Sequence, residues 1–408
     1  MNIPIITISI DLLFLGLFVG TSLTGRSHRV WFVFGLSFAV AFVEPSPTDV
    51  LLPLMVLYVI LTRRVSVRFT SFLPLLFTIP LILTAVSTPN SFSLNYTLIT
   101  AHLVVLCVVA TTLRQQERKQ VFSGLVWAAL MNALVLIVTL ILRLIGSEAA
   151  ALFSQWAGFR GLYKDRNVLV SLLLASFGIT VLDRKWIKAI LIGPVLIATG
   201  SRGGYIGAII TIFLALLILL KDRGISPALA FWGLLLASLC VFPFWSQLIL
   251  WKVSKPVQSY DTQRIHGYCE AVRWGLSNPQ GKYPLQQAPI RVPKSSLKVA
   301  GVKGGSEPAV KGEVSFRFIP HNLFFETLAF HGVIGIVVLF TLLAAAGVNL
   351  LCNLPYSTKA LILLVAVLVP AMFQPPLHWR TLWLALGIAL SDFGGRKPRG
   401  TPEDSGSE

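Results

Sequence analysis

Charge is scarce in this chain, and negative charge scarcest of all. Of 408 residues 12% are charged, with 17 Asp and Glu against 34 Lys and Arg. A soluble domain carries about 25% charged residues, so most of this chain cannot form a water-facing surface. Cysteine is equally sparse. The four (Cys107, Cys240, Cys269, Cys352) have no metal-ligand spacing, and no His/Cys/carboxylate cluster supplies one, so no metal site is expected. Only Cys269 sits in a long polar stretch, which argues against a disulfide framework. The first apolar run, from Ile3 to Val19, lacks a basic leader and a small-residue cleavage site. It is therefore read as a retained span. No internal repeat stands out.

What fills the chain instead is apolar sequence, 55% by composition, with a mean hydropathy of +0.77. The expected fold is an all-α polytopic membrane protein with about 12–13 transmembrane helices. Candidate spans are 3–20, 30–44, 48–62, 70–86, 96–113, 121–145, 167–182, 187–200, 203–220, 226–250, 332–352, 359–374 and 379–392. Basic clusters (Arg26 and Arg29; Arg63, Arg64 and Arg68; Arg114, Arg118 and Lys119; Arg184, Lys185 and Lys188; Lys221 and Arg223; Arg396, Lys397 and Arg399) follow every second span. That side is expected to be the cytoplasm. The organisation reads as N-terminal helices over 1–145, helices joined by Arg-bearing turns over 146–250, a long basic loop over 251–321, C-terminal helices over 322–392 and a disordered tail over 393–408. The net charge of +17 suits anionic lipid at span ends, and no nucleic acid is expected as a partner. The long loop holds eleven Lys and Arg against four Asp and Glu, which suggests an anionic ligand on the far side of the membrane.

Three places on that far side gather cations beside glycine. Gly158 to Asn167 carries Arg160, Lys164 and Arg166; the turn Thr199-Gly200-Ser201-Arg202-Gly203-Gly204 joins two spans; Arg264 opens a segment that continues through Trp274, Pro279 and Gly281. A guanidinium is permanently charged and bonds phosphate in two places at once, and glycine lets backbone N–H groups approach an anion. His321 stands where the long loop re-enters the membrane, and an imidazole titrates near neutral pH. Asn322 caps a helix expected to begin at Leu323. His331, His102, His378 and Asp11 are weaker candidates. Ionisable groups near mid-membrane, the mark of a transporter, are expected to be few.

Taken together these residues resemble the O-antigen ligase and O-antigen polymerase (Wzy-type) superfamily, closer to the ligase branch. His321-Asn322, nine residues, then Gly332-x-x-Gly335 looks like the ligase signature H-[NSQ]-x9-G-x-x-G. The 199–204 turn resembles that family's S-R-G element, Arg264 with Trp274 to Gly281 its R…W…P-x-G segment, and 158–167 its G-x-x-x-x-x-N element. The resemblance covers about 158–392; the first 150 residues match only in being apolar. It implies a GT-C-like glycosyltransferase of the bacterial inner membrane, multi-pass, with its active site facing the periplasm. The implied donor is a glycan on undecaprenyl diphosphate, and the implied acceptor is a glycolipid or saccharide hydroxyl such as lipid A–core. Transfer would invert the anomeric centre with neither metal nor cofactor. In that reading Arg202 and Arg264 stabilise the diphosphate, His321 activates the acceptor, and Arg160, Lys164, Arg166 and Asn322 help to bind substrate. The alternatives are a polysaccharide polymerase of the same superfamily and, from another class, a membrane transporter. The stretch 282–316 is poor in aromatics, which argues against a long stacked glycan lying there.

Overall fold

The computed structural model describes residues 3–24, 27–41, 45–62, 69–89, 91–155, 158–163, 165–226, 258–282, 292–293, 313–314, 322–354, 356–373 and 377–393. The described residues are overwhelmingly helical. Fourteen helices are α1 (Ile3–Leu23), α2 (Ser27–Ser37), α3 (Pro47–Thr62), α4 (Phe69–Phe72), α5 (Thr78–Ser87), α6 (Ser91–Thr111), α7 (Gln115–Leu144), α8 (Arg166–Leu182), α9 (Trp186–Thr199), α10 (Arg202–Asp222), α11 (Gln258–Ser277), α12 (Leu323–Cys352), α13 (Thr358–Ala371) and α14 (Arg380–Leu390). A 3-10 segment, Leu73–Phe77, joins α4 to α5. Among the described residues, extended structure is limited to two antiparallel pairs of two-residue strands and one isolated bridge.

Five described helical stretches are long and apolar enough to cross a membrane: Thr70–Ser87, Ser93–Thr111, Gln115–Leu144, Gly203–Asp222 and Leu323–Cys352; six further apolar helices are shorter. Their burial pattern matches that solvent. One face of α7 packs inward through Val121, Leu125, Ala128 and Ala129, while Leu134, Ile137, Ile141 and Leu144 point out. In water such a stripe would be an association surface; against hydrocarbon it is satisfied, and the helix bonds its own backbone. Most of the sequence-derived spans coincide with these helices. The helix at the span placed at 332–352 begins at Leu323, the one at 30–44 ends at Ser37, and the stretch 251–321, read as a loop, contains the twenty-residue helix α11. The span 226–250 and the tail 394–408 lie outside the described residues.

With little water to release, these helices associate through close packing. Gly35 of α2 and Gly124 of α7 let two backbones touch: a Cβ on either would lie 2.4 Å from a carbonyl oxygen, Val121 O or Phe32 O. Gly387 does the same for α14 against Cys107 O of α6, at 2.3 Å. The core around these crossings holds Trp31, Phe34, Phe77 and Trp383, all fully buried.

Candidate active site

The starts of α8 and α10 meet, the start of α12 is tied to the α13–α14 connection that α10 also approaches, and each start is capped by its own sequence. Asp165 caps α8, its Oδ1 accepting the Asn167 N–H at 2.7 Å. Ser201 caps α10, its Oγ accepting the Gly204 N–H at 3.2 Å. Asn322 caps α12, its Oδ1 accepting the Phe324 N–H at 2.9 Å. Asn, Asp and Ser satisfy the orphan N–H groups of a first turn. The caps are also tied to one another. Ser201 Oγ donates to Asn167 Oδ1 at 2.8 Å, and Arg166 reaches the Thr199 carbonyl at 3.4 Å. The cation-bearing runs 158–167 and 199–204 are thereby joined.

The third start is linked through the connection between α13 and α14. Asn322 Nδ2 donates to the Met372 carbonyl at 2.8 Å. A Cβ on Gly203, the residue after Arg202, would lie 3.3 Å from the Phe373 ring. The α12 cap thus touches Met372, and the α10 start approaches its chain neighbour Phe373. On the other flank α11 lies along α12: the Tyr268 ring stacks on Phe325, centroids 4.4 Å apart and 15° from parallel. Tyr268 stands one turn, about 6 Å of axis, after Arg264. The joined N-termini of α8 and α10 give positive backbone potential of the kind that suits an anion.

Arg202 opens α10 and Arg264 lies in the first two turns of α11; His321 and Lys164 lie outside the described residues. Arg160 turns back on its own segment, its Nε and a terminal nitrogen donating to the Leu152 carbonyl at 3.1 and 2.9 Å. Its neighbours anchor the segment to α7 and to the residues just after α2: the Asn132 amide accepts from Leu162 N at 3.0 Å and donates to Ala39 O at 3.1 Å, and the Tyr163 hydroxyl donates to Phe38 O. Burial raises the Tyr163 phenol well above its ordinary pKa, so it stays a neutral donor.

The Gly332-x-x-Gly335 pattern has a structural cause. Gly332 (φ 62°, ψ −161°) breaks α12 into two stretches, a conformation almost confined to glycine. Into the break fits the turn after α11. Ile334 N–H donates to Pro279 O at 3.2 Å, and a Cβ on Gly332 would lie 2.4 Å from both the Asn278 and Pro279 carbonyls. The turn is closed by Trp274 Nε1 donating to Lys282 O at 2.8 Å. Gly281 has φ 88°, and a Cβ there would lie 2.9 Å from the His331 Cα. The two glycine-bearing motifs, about fifty residues apart, form one interlocked joint.

Beside this joint lies a buried polar set in which the sequence reading had named only the histidines, as weaker candidates, and had missed Glu326 and the Asp49–Arg380 pair. Glu326 is 3% exposed; its two carboxylate oxygens accept the Tyr96 hydroxyl at 3.3 Å and the Leu377 N–H at 3.1 Å. His331 Nδ1 lies 3.1 Å from the Thr84 hydroxyl, and the His378 ring lies 4.1 Å from that of Tyr96. Nearby, Arg380 Nε donates to Asp49 at 2.8 Å, with a second contact from its terminal nitrogen, and His102 lies 3.5 Å from the same carboxylate. His102 stands well inside α6, and His331 lies inside α12. The signal available was a carboxylate within an apolar run, which marks function or pairing.

No protein-family model matches this chain, and no curated protein does. Fold and polar groups together are those of an all-helical protein suited to a membrane, with an anion-favouring end built from helix starts.

Proposed function

We propose that this protein is a membrane glycosyltransferase of the O-antigen ligase kind, moving a glycan from undecaprenyl diphosphate to an acceptor hydroxyl such as one of lipid A–core on the periplasmic face. The observation that carries the reading is the bonding of the α8 and α10 starts to each other together with the attachment of the α12 cap to Met372, next to the Phe373 that the α10 start approaches. The segment ending in Asn167, the turn bearing Arg202 and the cap following His321 are linked in this way, and the Arg264 helix packs alongside α12. In the proposed reaction the His321 imidazole takes the acceptor hydroxyl proton as its oxygen attacks the anomeric carbon. The bond from that carbon to the diphosphate oxygen breaks, and the negative charge left on the lipid diphosphate is met by Arg202 and Arg264 and the helix starts. A single displacement inverts the anomeric centre.

His321→Ala and Arg202→Ala, each at wild-type membrane levels, are expected to lose about 100-fold or more of glycan transfer; full activity in both removes the reading. In a deletion strain, lipid-linked polymer that accumulates without reaching the acceptor marks a ligase, whereas single-repeat capping marks a polymerase.

A transporter is the second reading. It is favoured by the ionisable side chains inside the helix bundle, His102, His331 and Glu326. Unchanged envelope glycans with altered solute uptake in the same deletion strain would select it.

A further inference from the structure

Glu326 is a buried carboxylate that the proposed reaction does not use. Its two partners are a phenol and a backbone amide. A polar group buried among apolar side chains is expensive unless it is bonded, and both oxygens of Glu326 are. Glu326 sits one turn after the Asn322 cap, and its own N–H bonds the Asn322 carbonyl at 2.8 Å. The two residues grip the α13–α14 connection from the same helix end, Asn322 at the Met372 carbonyl and Glu326 at the Leu377 N–H. Leu377 is held from its other side too, its carbonyl accepting the Trp383 indole N–H at 2.7 Å. Arg380, just beyond, is bound to Asp49 of α3. The connection is thus fixed to three helices, and the start of α10 rests against its Phe373.

We infer that Glu326 is a positioning residue: with Asn322 it clamps the start of α12 to the α13–α14 connection, against whose Phe373 the start of α10 rests. This rests on the proposed transferase reading. A clamp needs an acceptor of the right reach for the Leu377 N–H and a polar partner for the Tyr96 hydroxyl; it does not need charge. The Glu326→Gln amide meets both demands, accepting with its oxygen and donating with its nitrogen. Glu326→Asp keeps the charge but falls one methylene short of spanning both partners.

The test measures glycan transfer by the full-length protein in membranes together with hydrogen exchange at the Leu377 amide. Glu326→Gln is expected to keep the wild-type turnover within about threefold and to keep Leu377 protected. Glu326→Ala is expected to lower kcat by about 100-fold, leave the donor KM nearly unchanged and expose Leu377 to exchange. If the alanine variant does not accumulate, Glu326→Asp decides, with turnover below that of Glu326→Gln. An aspartate more active than the glutamine variant assigns the carboxylate a chemical role and overturns the inference. So does full turnover in Glu326→Ala once Leu377 has lost protection. Should His321→Ala keep full transfer, the transferase reading fails while the exchange data still judge the clamp.

Discussion

Asp49 and Arg380 are 331 residues apart in the chain and bonded in the fold. Their side chains are 17% and 20% exposed, so each charge depends on the other. Asp49→Ala should cost about 3 kcal/mol, because it leaves a guanidinium without its carboxylate. The double variant with Arg380→Met should recover part of that loss, as thermal unfolding in detergent would measure. His378 makes the pH dependence explicit. Burial, then the Arg380 charge, moves its imidazole from 6.5 down to about 4. The unfolded chain therefore binds a proton between those values that the folded chain refuses, and stability must fall as pH drops from 6.5 toward 4. His378→Gln should flatten unfolding curves in that window. Asp183 acts lower. Burial pushes its carboxyl up, but bonds to Lys359 and Lys185 outweigh this and hold it below 3.8; its contribution is complete above 3.8 and fades as pH falls further.

Among elements, the joint between the turn after α11 and the break in α12 makes the sharpest demand on sequence. Gly332→Ala faces both a backbone conformation costing of order 1–3 kcal/mol outside glycine and contact with two carbonyls at 2.4 Å. It should loosen α11 from α12 and lower transfer without preventing insertion. The readout is protease cutting between 278 and 322, which should speed up. The nine residues between Asn322 and Gly332 span about 14 Å of helix, so the spacing in the motif is the length of one rigid piece. That piece has the cap and Glu326 at one end and the joint at the other. The motif could be read from the sequence; its role as a joint could not, because it depends on carbonyls from a turn about fifty residues upstream.

For the whole molecule the decisive question is which end faces out, and two thiols can answer it. Cys269 and Cys352 are exposed, while Cys107 is buried. Cys269 lies beside the α12 start through Tyr268 and Phe325, and Cys352 ends α12 about 40 Å away. With Cys240→Ser as background, a membrane-impermeant maleimide should label Cys269 in intact spheroplasts and Cys352 only after permeabilisation. The reverse order would put the helix starts in the cytoplasm and end the periplasmic reading. Transfer should also survive chelation, since arginines and helix starts are proposed to meet the diphosphate charge; a strict Mg²⁺ requirement would count against that arrangement.

Long apolar runs and alternating basic clusters determined the helices and their approximate limits, because hydrocarbon accepts only backbone that bonds itself. Local capping was legible at Asn322 for the same kind of reason, since it acts within four residues of itself. Only the tertiary structure decided which helix starts share a neighbour, that the long loop holds α11, and that Glu326 bonds a residue 51 positions away. Those outcomes depend on packing between distant segments. A carboxylate's burial and partners belong to the space around it, which its sequence neighbours do not encode.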